Sequence, residues 1–390
     1  MPRLFEKSIE NDRVVYRLYG IKCIDRCPRD ARELKKIETT KRNLEIQNKY
    51  DLIPLKNTSK LILFLVPPEV DITGGIMSIY SLCKCSREIN TDALCLISTY
   101  PEPYTHAHND RFLNNEQVYR FSQITDNCEY LDSLMIHIPE YYLKKFYRDL
   151  SKKDLKFLKS VKNLHISILN QNIDEMARPK VVNNFRKLTH KITQTIAHDA
   201  YATQEICNKY NIPTHLASVS IDLSPYKVYP FEEKEKIIVL SPDNNEYRNQ
   251  VVNVLKEAFP DWRLLTVNNM TFSEYMSLIG RAFFTITFGE GMDGYFLQPE
   301  VVGSIGFAVY NERFFPNDSW NSLKNVYNSY EEMVKEIADF MRLLLKDRVL
   351  YEQTVAETLT EMQSVYKSGA FKDNLERFYK EDYDFIPGEC

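Results

Sequence analysis

The stretch RAFFTITFGEGMDGYFLQPEVVGSIGFAVYN, Arg281 to Asn311, concentrates glycine and acid in a chain that otherwise uses glycine sparingly. Six of the 11 glycines (Gly280, Gly289, Gly291, Gly294, Gly303, Gly306) lie in or beside it, and a pair, Gly74-Gly75, follows another apolar run. Glycine serves where backbone takes positive φ or where another group comes close. The pattern predicts a strand over residues 283–288, an acidic glycine loop, a short helix over 297–303 and a second strand over 307–310.

Outward from there the chain alternates. Short apolar runs at 61–66, 93–97, 134–138, 164–169 and 193–197 are bounded by Pro, Asn, Asp or His, as buried strands of a mostly parallel sheet are. Helical patterns at 76–89 and 180–191 stand between them. A second series begins after residues 222–235, with strands at 237–240, 263–267, 283–288 and 307–310 and helices at 249–258 and 273–278. Two such series imply two Rossmann-like sheets with right-handed crossovers. Residues 330–383 read as a helical tail, and residues 1–57 as an extension carrying a charged helix.

The glycine-acid loop resembles the donor loop of the retaining GT-B glycosyltransferases, whose signature is two glutamates around E-G-F-G-L-P-x-x-E, then a helix and a strand. Here the matching residues are Glu290, Gly291, Gly294, Pro299 and Glu300. Nine residues separate the two glutamates against seven in the family pattern, so Glu290 and Asp293 are both candidates for the first acidic role. The leader YRLYGIK is similar to N-terminal segments of bacterial surface-polysaccharide glycosyltransferases. The resemblance implies an α/β fold of two Rossmann-like domains (GT-B) facing a cleft, with an N-terminal extension and C-terminal helices. The expected division is 1–57 extension, 58–222 acceptor domain, 223–368 nucleotide-sugar donor domain and 369–390 a tail crossing back to the first domain.

Bulk properties narrow the classes. Over 390 residues, with 27% charged residues and a net charge of −4, no overall field recruits nucleic acid. The longest apolar stretch, LILFLVPP, is too short to span a bilayer, and MPRLFEKSIENDR is no signal peptide, so a cytoplasmic protein is expected. The eight cysteines are scattered without paired Cys-x-x-Cys units, which argues for reduced thiols over zinc. His106-Ala107-His108 has no third ligand by sequence, and no metal is expected.

The chemistry is expected at strand ends, where open α/β sheets bind ligands. Gly74-Gly75, at a strand-to-helix turn, can present N–H groups to a phosphate or sugar, or simply make a tight turn. Arg248, near a helix start, can fork two phosphate oxygens, or be an ordinary surface arginine. The resemblance assigns Gly74, Gly75, Arg248, Gly291, Gly294 and Glu300 to donor binding. In it Glu300 meets the ribose hydroxyls, and Glu290 or Asp293 the donor sugar. The alternative for Glu300 is a carboxylate favoured at a helix N-terminus, which needs no ligand, but the coincidence of glycine, acid and strand favours the ligand role. Asp and Glu can bind diols without a metal. His137, Asn170 and His198 stand at or near strand ends as acceptor or donor contacts, with His198 grouped with Glu290 and Asp293 as catalytic candidates. His165, within its strand, reads as a packed core residue. Residues 141–162 hold seven Lys and one Arg among aromatics, which fits an anionic leaflet, a lipid-linked phosphate or a solvated helix face equally.

The function expected is transfer of a sugar from a nucleotide-sugar donor to a glycan or lipid-linked glycan acceptor, as in bacterial surface polysaccharide synthesis. No cofactor is expected beyond the donor itself, and peripheral membrane contact stays open. The alternatives are a sugar-nucleotide epimerase of GT-B-like fold and a non-catalytic glycan- or nucleotide-binding subunit.

Overall fold

A computed structural model describes residues 5–10, 13–18, 21–26, 31–67, 74–100, 116–218, 223–268, 270–365 and 370–388. The N-terminal extension holds three antiparallel strands the sequence reading did not anticipate: β1 (Phe5–Glu10), β2 (Arg13–Leu18) and β3 (Ile21–Arg26). The expected charged helix follows as Ala31–Gln47.

Seven parallel strands form the first large sheet: β4 (Lys60–Val66), β5 (Leu94–Thr99), β6 (Val118–Arg120), β7 (Ser133–Pro139), β8 (Asn163–Asn170), β9 (Ile192–Ile196) and β10 (Thr214–Leu216). Their order is β10-β9-β8-β7-β4-β5-β6. The chain therefore builds outward from β4 to β6, returns to the other side of β4 at β7, and builds outward again. Strands buried on both faces need apolar residues throughout, and β4 buries every residue from Leu61 to Val66.

Five parallel strands form the second: β11 (Glu235–Leu240), β12 (Arg263–Thr266), β13 (Ala282–Ile286), β14 (Ile305–Val309) and β15 (Val326–Tyr327), in the order β12-β11-β13-β14-β15. Here the direction of building reverses between β11 and β13. The helix Tyr330–Lys346 covers this sheet with Met333, Ile337, Met341 and Leu344, spaced by three or four residues so that they share one face.

The chain divides into two compact units. Residues 1–110, 114–219 and 372–390 form the first; 111–113 and 220–371 form the second. Within the first, the terminal helix Ala370–Tyr379 buries Phe378 among three histidines, His137 of β7, His165 of β8 and His215 of β10, with ring centroids 5.8, 6.3 and 5.9 Å away. Thr214 and Phe385 exchange backbone hydrogen bonds of 2.9 and 3.0 Å, adding the tail to the edge at β10.

The expected helix over 180–191 is shorter, Pro179–Phe185, because the chain turns there: the N–H groups of Leu188 and Thr189 both bond back to the Phe185 carbonyl. The basic run becomes two helices, Glu140–Asp149 and Lys152–Ser160, packed through Tyr142, Leu143, Phe146 and Leu158 and joined at a Ser151 capping box. Lys144, Arg148, Lys152, Lys153, Lys156 and Lys159 face outward. Among the described residues no helix is long and apolar enough to cross a membrane.

Candidate functional site

In a doubly wound sheet the helices on either side of the reversal lie on opposite faces, which leaves a crevice beyond the strand C-termini. In the second unit that point is where β11 and β13 end. The loop after β11 carries Asp243, and the loop after β13 carries Gly289 to Asp293. A methyl group placed on Gly289 would lie 3.1 Å from both the Asp243 Oδ2 and the Asp293 Oδ2, so the two carboxylates converge over this glycine. Gly291 has φ +86° and its added carbon would stand 2.5 Å from the Val309 carbonyl oxygen, so only glycine fits there.

Asp293 caps the helix Gly294–Val301: its Oδ1 accepts from the N–H of Tyr295 at 2.8 Å and of Phe296 at 3.3 Å. Its Oδ2 accepts from the Thr287 hydroxyl, which in turn accepts from the Gly289 N–H at 3.1 Å. Enclosure raises the Asp293 carboxyl to about 7, with the Asp243 charge adding to the rise while Thr287 and the two N–H groups oppose it. The phenols of Tyr295 and Tyr330 are each pushed up to about 12, mainly by burial and also by these two acids. Tyr330 is sandwiched, with Tyr247 stacked at 5.6 Å and Phe288 at 6.3 Å. Two carboxylates and a hydroxyl suit a polyhydroxylated ligand, whose hydroxyls donate to the acids.

The other donor-loop candidates sit differently from the sequence expectation. Glu290 is exposed on the loop, and Gly294 opens the helix. Arg248 begins the helix Arg248–Ala258 as expected, but its guanidinium braces the protein. It donates to the carbonyls of Ser241 and Asp243, to Thr266 Oγ1 at 3.0 Å, and lies 4.7 Å over the Phe288 ring. Glu300 is 1% exposed: its Oε1 accepts from the Gly306 N–H at 2.9 Å and from Asn325 Nδ2 at 3.2 Å, while Oε2 is buried without a hydrogen-bond partner. Burial holds its carboxyl well above the usual carboxylate range, and Lys234, the nearby cation that opposes this, is itself lowered to about 7 by burial.

This geometry separates two substitutions. Glu300→Gln keeps the oxygen that Gly306 and Asn325 use and replaces a buried ionisable group with a neutral one of the same shape, so stability stays within about 1 kcal/mol of wild type. Glu300→Ala removes the acceptor of the Gly306 N–H, while Asn325 keeps the Gly306 carbonyl and Thr358 Oγ1, and costs about 1–3 kcal/mol. Urea unfolding of both variants checks the pair.

In the first unit the reversal lies between β4 and β7. The helix Gly74–Ile89 starts beyond β4, and the helix Glu140–Asp149 directly follows β7. Residues 68–73 of the loop before Gly74, and His106 and His108, lie outside the described residues. Asn170 ends β8 but is 2% exposed, its Nδ2 donating to Gln194 Oε1 and the Thr195 carbonyl, both at 3.1 Å. His198, just past β9, is half-buried and hydrogen-bonded to the Gln171 backbone; burial lowers its pKa. His137 corrects the expectation of a reachable strand end. It is 1% exposed inside the sheet, stacked on Phe64 at 4.4 Å, with Nε2 3.2 Å from the Tyr379 hydroxyl. His165 is packed in the core as read, with Nε2 2.8 Å from Thr193 Oγ1.

Four residues at these two points escaped the sequence reading: Asp243, Thr287, Glu140 and Gln171. Each stands one to three residues past a strand, the only signal available, and each acquires meaning from strand order. Among the described residues no three His, Cys, Asp or Glu gather as a metal site.

No family model matches the sequence, and no curated protein matches it significantly. Solved structures do match. A sucrose-phosphate synthase from Thermosynechococcus elongatus aligns with TM-score 0.53 at 9% identity, covering 83% of this chain and 98% of that one. A trehalose-6-phosphate protein from E. coli bound with UDP-2-fluoro glucose aligns with TM-score 0.50 at 11% identity, covering 84% of this chain and 100% of that one. At such identities the likeness is one of fold, and it identifies the architecture of this chain as two Rossmann-like α/β domains of the GT-B type.

Proposed function

We propose that this chain is a glycosyltransferase that moves a sugar from a nucleotide-sugar donor to a glycan acceptor without a metal ion. The observation that carries the reading is the reversal point of the second sheet. There a glycine loop brings Asp243 and Asp293 together beside Thr287, Tyr295 and Tyr330, on a fold whose solved relatives include one bound with UDP-2-fluoro glucose. In this reading Asp293 or Glu290 accepts hydrogen bonds from the donor sugar. Gly74 and Gly75 keep the donor role the resemblance gives them, and His198 belongs to the acceptor side. Arg248 acts by holding the ends of β11 and β12, so that the loop at Asp243 keeps its place, with its positive charge close by to stabilise the negative charge of the departing diphosphate. A bacterial surface polysaccharide, carried on a lipid or free, is the acceptor class this reading favours.

A second reading rests on a specific observation: both Arg248 and Glu300 are engaged within the protein. That favours a nucleotide- or glycan-binding subunit without transfer activity. The two are separated by incubating the chain with nucleotide sugars and following nucleotide release, with and without glycan acceptors. Transfer by wild type that is lost in Arg248→Ala combined with Glu300→Gln supports the enzyme; tight nucleotide binding with no release supports the subunit.

A further inference from the structure

The first unit carries a buried polar network at its own reversal point. Glu140, the first residue after β7, is 2% exposed. Its Oε1 accepts from the backbone N–H groups of Gln171 at 3.1 Å and Asn172 at 2.7 Å, at the end of β8, while its Oε2 is buried without a hydrogen-bond partner. Gln171 then reaches across to the helix that follows β4. Its Nε2 donates to Ser78 Oγ at 2.6 Å and to the Gly75 carbonyl at 3.1 Å, and Ser78 Oγ donates to that same carbonyl at 2.7 Å. Ser78 is fully buried.

Each part of this arrangement carries a cost. Burying a carboxyl is unfavourable, and here it raises the Glu140 pKa to about 7 even though the N–H groups of Asn172 and Gln171 oppose the rise. A leucine would occupy similar space without that cost. What the carboxyl contributes is a fixed position for two backbone amides, and through the Gln171 side chain a fixed position for the first turn of the helix at Gly74–Gly75. The N–H groups of that turn have no intrahelical partners, and Gln171 ties the turn from the other side, through the Gly75 carbonyl and the Ser78 hydroxyl.

We propose that Glu140 and Gln171 are positioning residues: they form a strap from β7 through β8 that holds the glycine start of the helix after β4 in the geometry that receives a nucleotide sugar. The proposal rests on the donor role given to Gly74 and Gly75 above. It adds two residues that never touch the ligand and act only through Gly75 and Ser78.

The test uses the full chain in four forms, wild type, Gln171→Ala, Glu140→Ala and Glu140→Gln, with two readouts. Amide hydrogen exchange over residues 78–81 reports fraying of the helix start and needs no ligand. Titration with the nucleotide sugar that binds wild type reports the functional consequence. Gln171→Ala removes two hydrogen bonds and is expected to speed exchange there and to weaken donor binding, each by about tenfold. Glu140→Ala does the same, and Glu140→Gln, which keeps the accepting oxygen, restores both. Unchanged exchange in Gln171→Ala overturns the proposal. So does faster exchange with donor affinity unchanged, which would leave the network a packing feature. Should Glu140→Ala fail to fold, Gln171→Ala and Glu140→Gln still decide the matter. A wild-type chain that binds no nucleotide sugar overturns the donor reading, and the exchange rates tell that failure from failure of the strap itself.

Discussion

Phe378→Ala is expected to destabilise the first unit by about 3–5 kcal/mol and to free the terminal helix from its sheet. The ring is fully buried and stands within 6.3 Å of His137, His165 and His215, so truncation opens a cavity that three sheet residues and a helix share. The same cluster makes the dock acid-labile. Burial lowers His137 and His165 to about 3 from an ordinary 6.5, with His165 adding to the effect on His137 and Lys191 to that on His165. In the unfolded chain these rings take up protons below pH 6.5 while the folded ones stay neutral, so their contribution is complete above 6.5 and is lost as pH falls toward 3. A depression of that size amounts to roughly 5 kcal/mol per ring at its fullest. Asp384, which holds the tail beside His215 and is lowered to about 2, works in the same direction at the acid end. Glu140, raised to about 7, works against it between 7 and the ordinary carboxylate range. Hydrogen exchange over residues 370–388, in wild type at pH 7 and pH 4 and in the variant at pH 7, checks both statements. A terminal helix as protected at pH 4 as at pH 7 would contradict the second.

Gly306→Ala is expected to cost roughly 3 kcal/mol, the upper end for overpacking, and to disturb the second unit's site. Gly306 lies in β14 directly beneath the helix Gly294–Val301. An added carbon would come within 2.2 Å of the Phe296 carbonyl oxygen and 2.9 Å of that residue's Cα, all of it backbone that cannot swing aside. The helix must shift, and with it Asp293 at its start and the Gly306 N–H that satisfies Glu300. The effect therefore has two readouts, a lower urea midpoint and a changed titration of Asp293. A variant with unchanged midpoint would mean that the helix does not pack on β14 as closely as described.

Much of the architecture was legible because buried parallel strands are written as short apolar runs with polar ends. Residues 61–66, 134–138 and 164–169 read directly as β4, β7 and β8. The strands that escaped were short or polar. β6 is VYR, β10 is THL held by the bridge to Phe385, and β1–β3 mix charge with β-branched residues in a pattern without clean alternation. The glycine loop was legible as strand, loop and helix, since Gly291 and Gly306 answer to local steric demands that only glycine meets. The meeting of Asp243 with Asp293 was not. It depends on β11 lying beside β13 and not only beside β12, and strand order is set by crossover direction and packing across some fifty residues. The same holds for Glu140 and Gln171. Burial decided Glu300 and His137, and hydrogen bonds to backbone carbonyls decided Arg248: all three carry residue types suited to ligands, and the fold turns each of them onto its own backbone or core.

The measurement that bears most directly on the central claim is a thermal-shift screen of the intact chain against UDP, GDP, CMP, dTDP and ADP sugars, each with and without magnesium. A ligand at a hundred times its dissociation constant adds about 2.7 kcal/mol to the folded state, a readily visible shift. One nucleotide class raising the melting temperature equally with and without magnesium is the predicted result, and it names the donor for transfer assays. Stabilisation by none of them would contradict a nucleotide-sugar site at the acid-lined reversal point of the second sheet.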